Sequence, residues 1–179
     1  MPDHTNTGDH LHDPDTRSGY SFPPLGLLDD GPCVEGRPHL RTLLLSSAMS
    51  EAKAPLSVAL GIDDQGEAVV DDLSRLPHLL IGGMPDHGVT ECVDGIISSL
   101  IFRLSPREVR FIIIDVEHDT LHIYNTLPHL LIPVVQDPIQ AYGALSWLLY
   151  EAENRKRRFQ DLGTNSIAEL KRRGKDDDE

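Results

Sequence analysis

The sequence has few cysteines and no long apolar run. Cys33 and Cys92 are its two cysteines, which argues against a disulfide framework or a four-cysteine zinc site and favours a reducing compartment. The longest apolar runs, such as 78–81 and 111–114, are far shorter than the ~20 residues that span a bilayer. The N-terminus is acidic, without the apolar stretch of a signal peptide. We therefore expect a cytoplasmic protein with no membrane segment in this chain.

Aromatic residues and basic charge are also scarce. The sequence contains four Phe, four Tyr and one Trp in no stacking pattern, so readout of single-stranded nucleic acid by base stacking is not supported. The net charge is −13, and residues 1–35 contain seven acidic residues against one basic residue. Because phosphate contacts dominate non-specific affinity for DNA, such a chain binds DNA only where its basic side chains are clustered. Our candidates for DNA contact are Arg155, Lys156, Arg157 and Arg158, and a second cluster is Lys171, Arg172 and Arg173.

Catalytic and metal-binding patterns are lacking. No Ser-His-Asp or Cys-His arrangement can be argued, so we predict no catalytic residue. His118 and His122 are four residues apart, with Glu117 before them. On a helix the two histidines would lie on one face, where they could bind zinc. Without a third ligand at a known spacing, we favour exposed polar residues and predict no metal site. The histidines and aspartates of residues 1–19 favour a disordered acidic tail over loose chelation of a metal.

Apolar patterns and turn residues outline the elements that are present. Segments 56–61 and 67–70 predict two strands around a turn at residues 63–66. Segment His78–Gly83 (HLLIGG) is typical of a buried strand that ends in glycines. Apolar residues spaced along Cys92–Ile101 predict a helix directly after that strand.

Two more strands and a long helix follow. Arg110–Asp115 (RFIIID) predicts a second buried strand, parallel to the first because its apolar run does not alternate, and Leu130–Val135 predicts a third. The last helix has Asp137 as its N-cap and Pro138 at its first position, and Gly163 ends it. This order of elements predicts an α/β fold with a parallel sheet.

The turn after the first predicted core strand follows the pattern of a phosphate-binding loop, G-x-x-x-x-G-K-[ST]. The matching residues, our degenerate nucleotide-binding site, are Gly83, Met84, Pro85, Asp86, His87, Gly88, Val89 and Thr90. Val89 stands at the lysine position, Asp86 adds a negative charge, and Pro85 removes a backbone donor. His87 compensates only when it is protonated. We therefore favour a structural strand-to-helix turn over a working nucleotide site.

The segments around this turn resemble successive blocks of the FtsK/SpoIIIE family of bacterial DNA-translocating motors, at matching spacing. The blocks are YSFPPLGLL (20–28), PLSVALGIDDQG (55–66), VVDDLSRLPHLLIGG (69–83), RFIIID (110–115), LPHLLIPVVQD (127–137), ALSW (144–147) and EAE (151–153). Together they are far more specific than the turn alone. The resemblance implies a RecA-like P-loop NTPase core whose ligands are ATP, Mg²⁺ and double-stranded DNA.

The sequence also departs from the family pattern. The family has a small domain between the segments that match residues 28 and 37, and a Pro-Lys pair where Val116 and Glu117 stand. The strand with the family's Walker B carboxylates would follow residue 168. We therefore expect a truncated, partial RecA-like core of three layers with a mainly parallel sheet. The expected domains are a disordered tail (1–19), a Pro/Leu linker (20–36), a motor domain (37–170) and a charged, disordered tail (171–179).

These observations predict a degenerate, non-catalytic motor-domain protein that acts as a binding or structural partner of a DNA-translocase assembly. It would associate with an intact motor, or with itself, through an open sheet edge. The alternative is an ATP-binding, DNA-binding subunit of such a translocase, in which weak binding of Mg-ATP survives. ATP and Mg²⁺ are implied by the resemblance alone.

Overall fold

The computed structural model describes four segments of the chain, which fall into two units. The described segments are residues 20–28, 38–84, 88–116 and 120–176. The first unit comprises residues 1–111 and the second comprises residues 112–179. The predicted tail of residues 1–19 lies outside the described residues, and so does the part of the linker from residue 29 to residue 36.

A two-stranded antiparallel sheet lies at the centre of the first unit. Strands β1 (Ser57–Ile62) and β2 (Ala68–Asp72) pair with an irregularity between Ala59 and Gly61. The turn is held by the carboxylate of Asp63, which accepts the N–H groups of Gln65 and Glu67 at 2.9 Å each. Gly66 supplies the left-handed conformation, with φ of 82°. The hairpin that the sequence predicts is thus confirmed.

Helices surround this hairpin. Helix α1 (Leu40–Leu44) and helix α2 (Ser47–Glu51) precede it, and the Ser46 hydroxyl caps α2 by accepting the N–H of Met49. Helix α3 (Val89–Ile101) follows it and packs on β1. Two short 3-10 helices, Leu25–Leu27 and Leu73–Arg75, complete the described part of this unit. The fully buried core side chains include Leu44, Met49 and Val58.

The predicted helix after the glycine turn is confirmed as α3, and its core-facing residues follow the apolar pattern only in part. Ile97, Leu100 and Ile101 are buried as expected. Gly95 and Ser99 are buried as well, although neither is apolar enough to enter such a pattern. Small side chains at these two positions let the helix approach the backbone of β1 closely.

The second unit is mostly helical. A 3-10 helix (Leu121–Thr126) precedes helix α4 (Pro138–Asp161) and helix α5 (Ile167–Asp176). Asp137 caps α4 by accepting the N–H groups of Ile139 and Gln140 at 2.9 Å each. Both predicted signals at the start of α4, the cap and Pro138, are confirmed. Helix α5 includes residues 171–176, for which the sequence predicts a charged, disordered tail, so this part of the expectation differs from the structure.

The end of α4 is a Schellman motif, in which two backbone N–H groups reach back to the last turn. Gly163 donates to the carbonyl of Gln160 at 3.0 Å, and Thr164 donates to that of Phe159 at 2.9 Å. Gly163 adopts φ of 60°, which favours glycine. The predicted stop at Gly163 is therefore confirmed.

The fold is α/β, but the parallel three-layer sheet is not confirmed. A parallel bridge joins Ile114 and Val135, which lie within two predicted strands, and the described residues form no parallel ladder of regular strands. Segment 78–83 carries no regular secondary structure, and Leu80 is 95% exposed. The physical reason is that a buried parallel strand needs hydrogen-bonded neighbours, and no described residue forms a ladder with this segment. Within the described residues, no helix is both long and apolar enough to cross a bilayer.

Candidate functional site

The glycine turn leads directly into a helix, as the motif predicts. Gly88 is the N-cap of α3, with a left-handed φ of 90°, and Val89 and Thr90 are the first two helical residues. The carbonyl of Gly88 accepts the N–H of Cys92 at 2.9 Å, which closes the first helical turn. A residue with a side chain would be strained at Gly88, so the second glycine of the motif has a conformational role. Pro85, Asp86 and His87 lie outside the described residues.

The first glycine of the motif lies against Val89. A β-carbon placed on Gly83 would be 2.8 Å from Cγ2 of Val89, closer than real side chains approach. A side chain at position 83 would therefore require Val89 to move. The side chain at the position of the motif's lysine contacts the turn itself and carries no charge.

The electrostatics of this turn are mixed. The first N–H groups of a helix lack intrahelical partners and favour an anion nearby. Glu91, exposed in the first turn of α3, complements that positive end and at the same time opposes a phosphate. With Val89 in place of a lysine, the described residues do not fit Mg-ATP as a complete phosphate-binding loop does.

Asp115, at the end of the second predicted strand, has a structural partner. Its Oδ2 accepts the N–H of Thr120 at 2.8 Å and that of Leu121 at 3.0 Å. The carboxylate thus caps the 3-10 helix that begins at Leu121. No local sequence pattern predicts this contact, because the acceptor and donors are five and six residues apart.

The four candidates for DNA contact differ in what they bind. Arg155 forms an ion pair with Glu151, with 2.7 Å between Nε and Oε1. Arg157 donates to the side chain of Asn154 at 2.7 Å. The side chains of Lys156 and Arg158 are exposed and form no hydrogen bond or ion pair within the described part of the chain. The helix therefore presents two unengaged cations beside two engaged ones.

Arg173, in the second basic cluster, connects α5 to the end of α4 by hydrogen bonds. The guanidinium of Arg173 donates to the carbonyls of Leu162 and Gly163 and forms a 2.7 Å ion pair with Glu169. Glu169 also accepts the hydroxyl of Thr164 at 2.9 Å. The pKa of Glu169 is lowered, chiefly by this hydrogen bond from Thr164. The N–H of Asn165 and the charge of Arg173 contribute in the same direction. Arg173 is thus already engaged within the protein.

Sequence reasoning did not single out Arg103, which lies just beyond α3. Its Nη1 donates to the carbonyl of Met49 at 2.9 Å, and its Nη2 donates to that of Ala52 at 2.8 Å. These contacts are 54 and 51 residues away in sequence. No local pattern could therefore have revealed them.

The candidate metal ligands are not brought together in the described residues. Glu117 and His118 lie outside them, and His122 lies on the 3-10 helix. Over residues 20–28, 38–84, 88–116 and 120–176, no group of three His, Cys, Asp or Glu residues could hold a metal ion.

The glycine turn at residues 83 and 88 leads into a helix N-terminus and matches the motif of phosphate-binding loops except at the lysine position. The sequence profile of the FtsK/SpoIIIE family matches residues 39–179. The chain therefore belongs to the FtsK/SpoIIIE family.

Known relatives agree with this assignment. DNA translocase FtsK 1 of Neisseria meningitidis serogroup A is 44% identical over 128 residues, which are 72% of this chain and 16% of the relative. DNA translocase FtsK of Campylobacter jejuni serotype O:23/36 is 43% identical over 129 residues, 72% of this chain and 14% of the relative. DNA translocase FtsK of Caldanaerobacter subterraneus is 40% identical over 129 residues, which are 72% of this chain and 18% of the relative. The chain spans less than a fifth of the length of these relatives.

Proposed function

We propose that this protein is a non-catalytic member of its family that acts as a binding or structural partner of a DNA-translocase assembly. The observation that carries the proposal is the contact of Val89 with Gly83. A working phosphate-binding loop has a lysine there whose ammonium reaches the β- and γ-phosphates. A valine packed on the turn supplies neither the charge nor the reach.

Within this proposal, residues 37–170 are a partial RecA-like motor domain, preceded by a tail (1–19) and a linker (20–36) and followed by a charged tail (171–179). The support is the family match, which begins at residue 39. The parallel sheet of a RecA-like core would incorporate segment 78–83, whose Leu79 and Leu80 are 46% and 95% exposed. Apolar residues exposed to this extent favour a partner that covers them.

Helix α4 supports association in the same way. Of its 24 residues, only Ala141 and Ala144 are buried. Large apolar side chains are exposed along it: Ile139, Tyr142, Leu145, Trp147, Leu148, Leu149 and Tyr150. Leu145, Leu148 and Leu149 are spaced for one helical face. We propose that this face packs against an intact motor or a second copy of the chain.

DNA is the proposed ligand of the assembly, because the relatives are named DNA translocases. Lys156 and Arg158 are the proposed contacts, with Arg155 and Arg157 beside them. Exposed cations without protein partners are free to neutralise backbone phosphates. With a net charge of −13, DNA binding would depend on a local cluster of cations such as this one.

A second candidate function is that of an ATP-binding, DNA-binding subunit of an FtsK-type translocase. It is favoured by Gly88, which caps a 13-residue helix in the left-handed conformation, and by the Thr90 hydroxyl in the first turn. Both are features of a site that holds phosphates and Mg²⁺. The two functions differ in whether the turn binds Mg-ATP.

The deciding experiment is thermal unfolding of the full chain with and without millimolar Mg-ATP, because a ligand of the folded state raises the midpoint. We expect no rise for the natural sequence. Val89→Lys restores the missing charge, and a rise for this variant alone would show that the turn keeps a phosphate-binding shape. Val69→Lys, at an exposed strand position, is the matched control. A clear rise for the natural sequence would overturn the non-catalytic proposal in favour of the second candidate.

A further inference from the structure

A cavity in the first unit has two cationic residues in its wall and no acidic one. Its volume is about 360 Å³, and its lining residues are Ala52, Lys53, Ala54, Pro55, Ser57, Arg103 and Leu104. Pockets for small ligands begin near this size, at roughly 300 Å³. The cavity lies beside the segment between α2 and β1, away from the glycine turn in sequence.

The guanidinium of Arg103 is held in a fixed orientation at this cavity. Its two terminal nitrogens donate to the carbonyls of Met49 and Ala52, at 2.9 and 2.8 Å. An arginine side chain has five N–H donors, so these two bonds leave three for another acceptor. An arginine anchored in this way loses little conformational freedom when it binds a ligand.

The charge of Arg103 is not balanced by a carboxylate. Its two partners are neutral carbonyls, and it forms no ion pair among the described residues. Burial lowers the pKa of Arg103 below its ordinary value, as it does for a cation without a counter-ion, and an arginine remains protonated near neutral pH. Lys53 is exposed at the same cavity and is likewise without a described ion pair. An anion in the cavity would interact favourably with both charges.

We propose that this cavity binds a phosphate group through Arg103 and Lys53. Arginine donors match phosphate oxygens in pairs, and a lysine adds a point charge. Two cations suit a phosphate monoester, which carries a charge of about −1.5 to −2 at neutral pH, better than a singly charged carboxylate. A capping role for Arg103 alone would require neither a cavity nor a second cation. Free phosphate matches this charge; a DNA backbone, whose diester phosphates each carry a single negative charge, is the other source that the experiment tests.

Two titrations of the full chain distinguish these sources. In the first, inorganic phosphate is titrated by calorimetry; in the second, a short DNA duplex is followed by fluorescence anisotropy. Lys53→Gln removes an exposed charge of the cavity and should weaken binding about fivefold or more, the loss expected for a charged hydrogen bond. Arg107→Gln removes an exposed charge outside the cavity and should leave affinity within about twofold.

Each outcome has a defined meaning. Dependence on Lys53 in the phosphate titration assigns the site to a free phosphate, and the same dependence with the duplex alone assigns it to a DNA backbone. The proposal is overturned if neither ligand saturates, or if Lys53→Gln and Arg107→Gln weaken binding equally. Arg103→Lys should also weaken binding, and Lys53→Gln decides the matter alone if that variant does not fold. Because Val89 lies outside this cavity, failure here leaves the proposal for the glycine turn intact.

Discussion

The hydroxyl of Ser99 accepts the backbone N–H of Ala59 at 3.1 Å and so joins helix α3 to strand β1. The same hydroxyl donates to the carbonyl of Gly95, one turn earlier, at 2.6 Å. A β-carbon on Gly95 would lie 3.8 Å from the carbonyl oxygen of Ala59, which reflects how closely the two backbones approach. Ser99 is fully buried, so its hydrogen bonds are shielded from water.

Replacing Ser99 should therefore destabilise the first unit. Ser99→Ala leaves the N–H of Ala59 buried without an acceptor, and we expect a loss of about 1–3 kcal/mol in the free energy of unfolding. Urea denaturation followed by circular dichroism measures it. Ser98→Ala, a neighbouring change at a half-buried position, should cost much less. Equal losses for the two variants would mean that the bond to Ala59 contributes nothing of its own.

The contact between Gly83 and Val89 makes a second, separate prediction. Gly83→Ala places a methyl group 2.8 Å from Cγ2 of Val89, and overpacking of this kind costs about 1–3 kcal/mol. Val89→Ala removes the opposing atom. The double variant Gly83→Ala/Val89→Ala should therefore recover most of the loss relative to Val89→Ala alone.

A double-mutant cycle of these unfolding free energies isolates the contact, and coupled neighbours give about 0.5–3 kcal/mol. Additive losses would show that the two residues do not meet. Gly82→Ala, where an added β-carbon meets nothing within 4 Å, controls for the general effect of replacing a glycine.

Asp72 at the end of β2 gives the fold a pH dependence. Its Oδ1 accepts the N–H groups of Ser74 at 3.0 Å and Leu56 at 3.3 Å, and its Oδ2 accepts the Ser74 hydroxyl at 2.6 Å. Burial opposes ionisation of this carboxyl most strongly. The bonds from Ser74 and Leu56, with the charge of Arg75, outweigh it and lower the pKa of Asp72 below its ordinary 3.8.

A lowered carboxyl pKa stabilises the folded state above the unfolded pKa, because the unfolded chain binds the proton more tightly. This contribution to stability is fully present near neutral pH. It is lost as the pH falls below 3.8, the ordinary pKa, and through the lower pKa that Asp72 has in the folded protein. The stability difference between the natural protein and Asp72→Asn should therefore shrink over that acidic range. Asp64→Asn, at an exposed turn position, is the control. A difference that stays constant with pH would contradict the assignment, and urea midpoints across the pH range measure it.

How far the sequence predicts this fold depends on whether the signal is local. Asp137, Pro138 and Gly163 act on their immediate neighbours, so their roles at the ends of α4 follow from residue type alone. The β1–β2 hairpin is likewise determined by its turn. By contrast, Arg103 binds carbonyls more than 50 residues away, and Ser99 binds a strand 40 residues away. Neither partner can be read from a local pattern.

The predicted parallel sheet is not confirmed, for a related reason. An apolar run such as HLLIGG indicates a segment suited to burial, but a strand exists only when a neighbour hydrogen-bonds to it. The bridge between Ile114 and Val135 supplies one such contact, and segment 78–83 has none in the described residues. The candidate turn was predicted better, since its glycines and Val89 are adjacent to the start of α3. That Val89 packs against Gly83 required three-dimensional information.

The basic cluster of α4 offers a test of the proposed DNA contacts. Lys156→Gln/Arg158→Gln removes two cations that have no described protein partner, and we expect weaker binding of any duplex sequence. The plot of the logarithm of the binding constant against the logarithm of the salt concentration has a negative slope. Its magnitude should decrease by about two, because roughly one counter-ion is released per phosphate contact. Fluorescence anisotropy of a labelled duplex over a salt series measures both quantities. Arg75→Gln/Arg107→Gln removes the same charge from exposed sites in the first unit and should leave the slope nearly unchanged. If both pairs lower the slope equally, the attraction is diffuse, and α4 is not the DNA-binding surface.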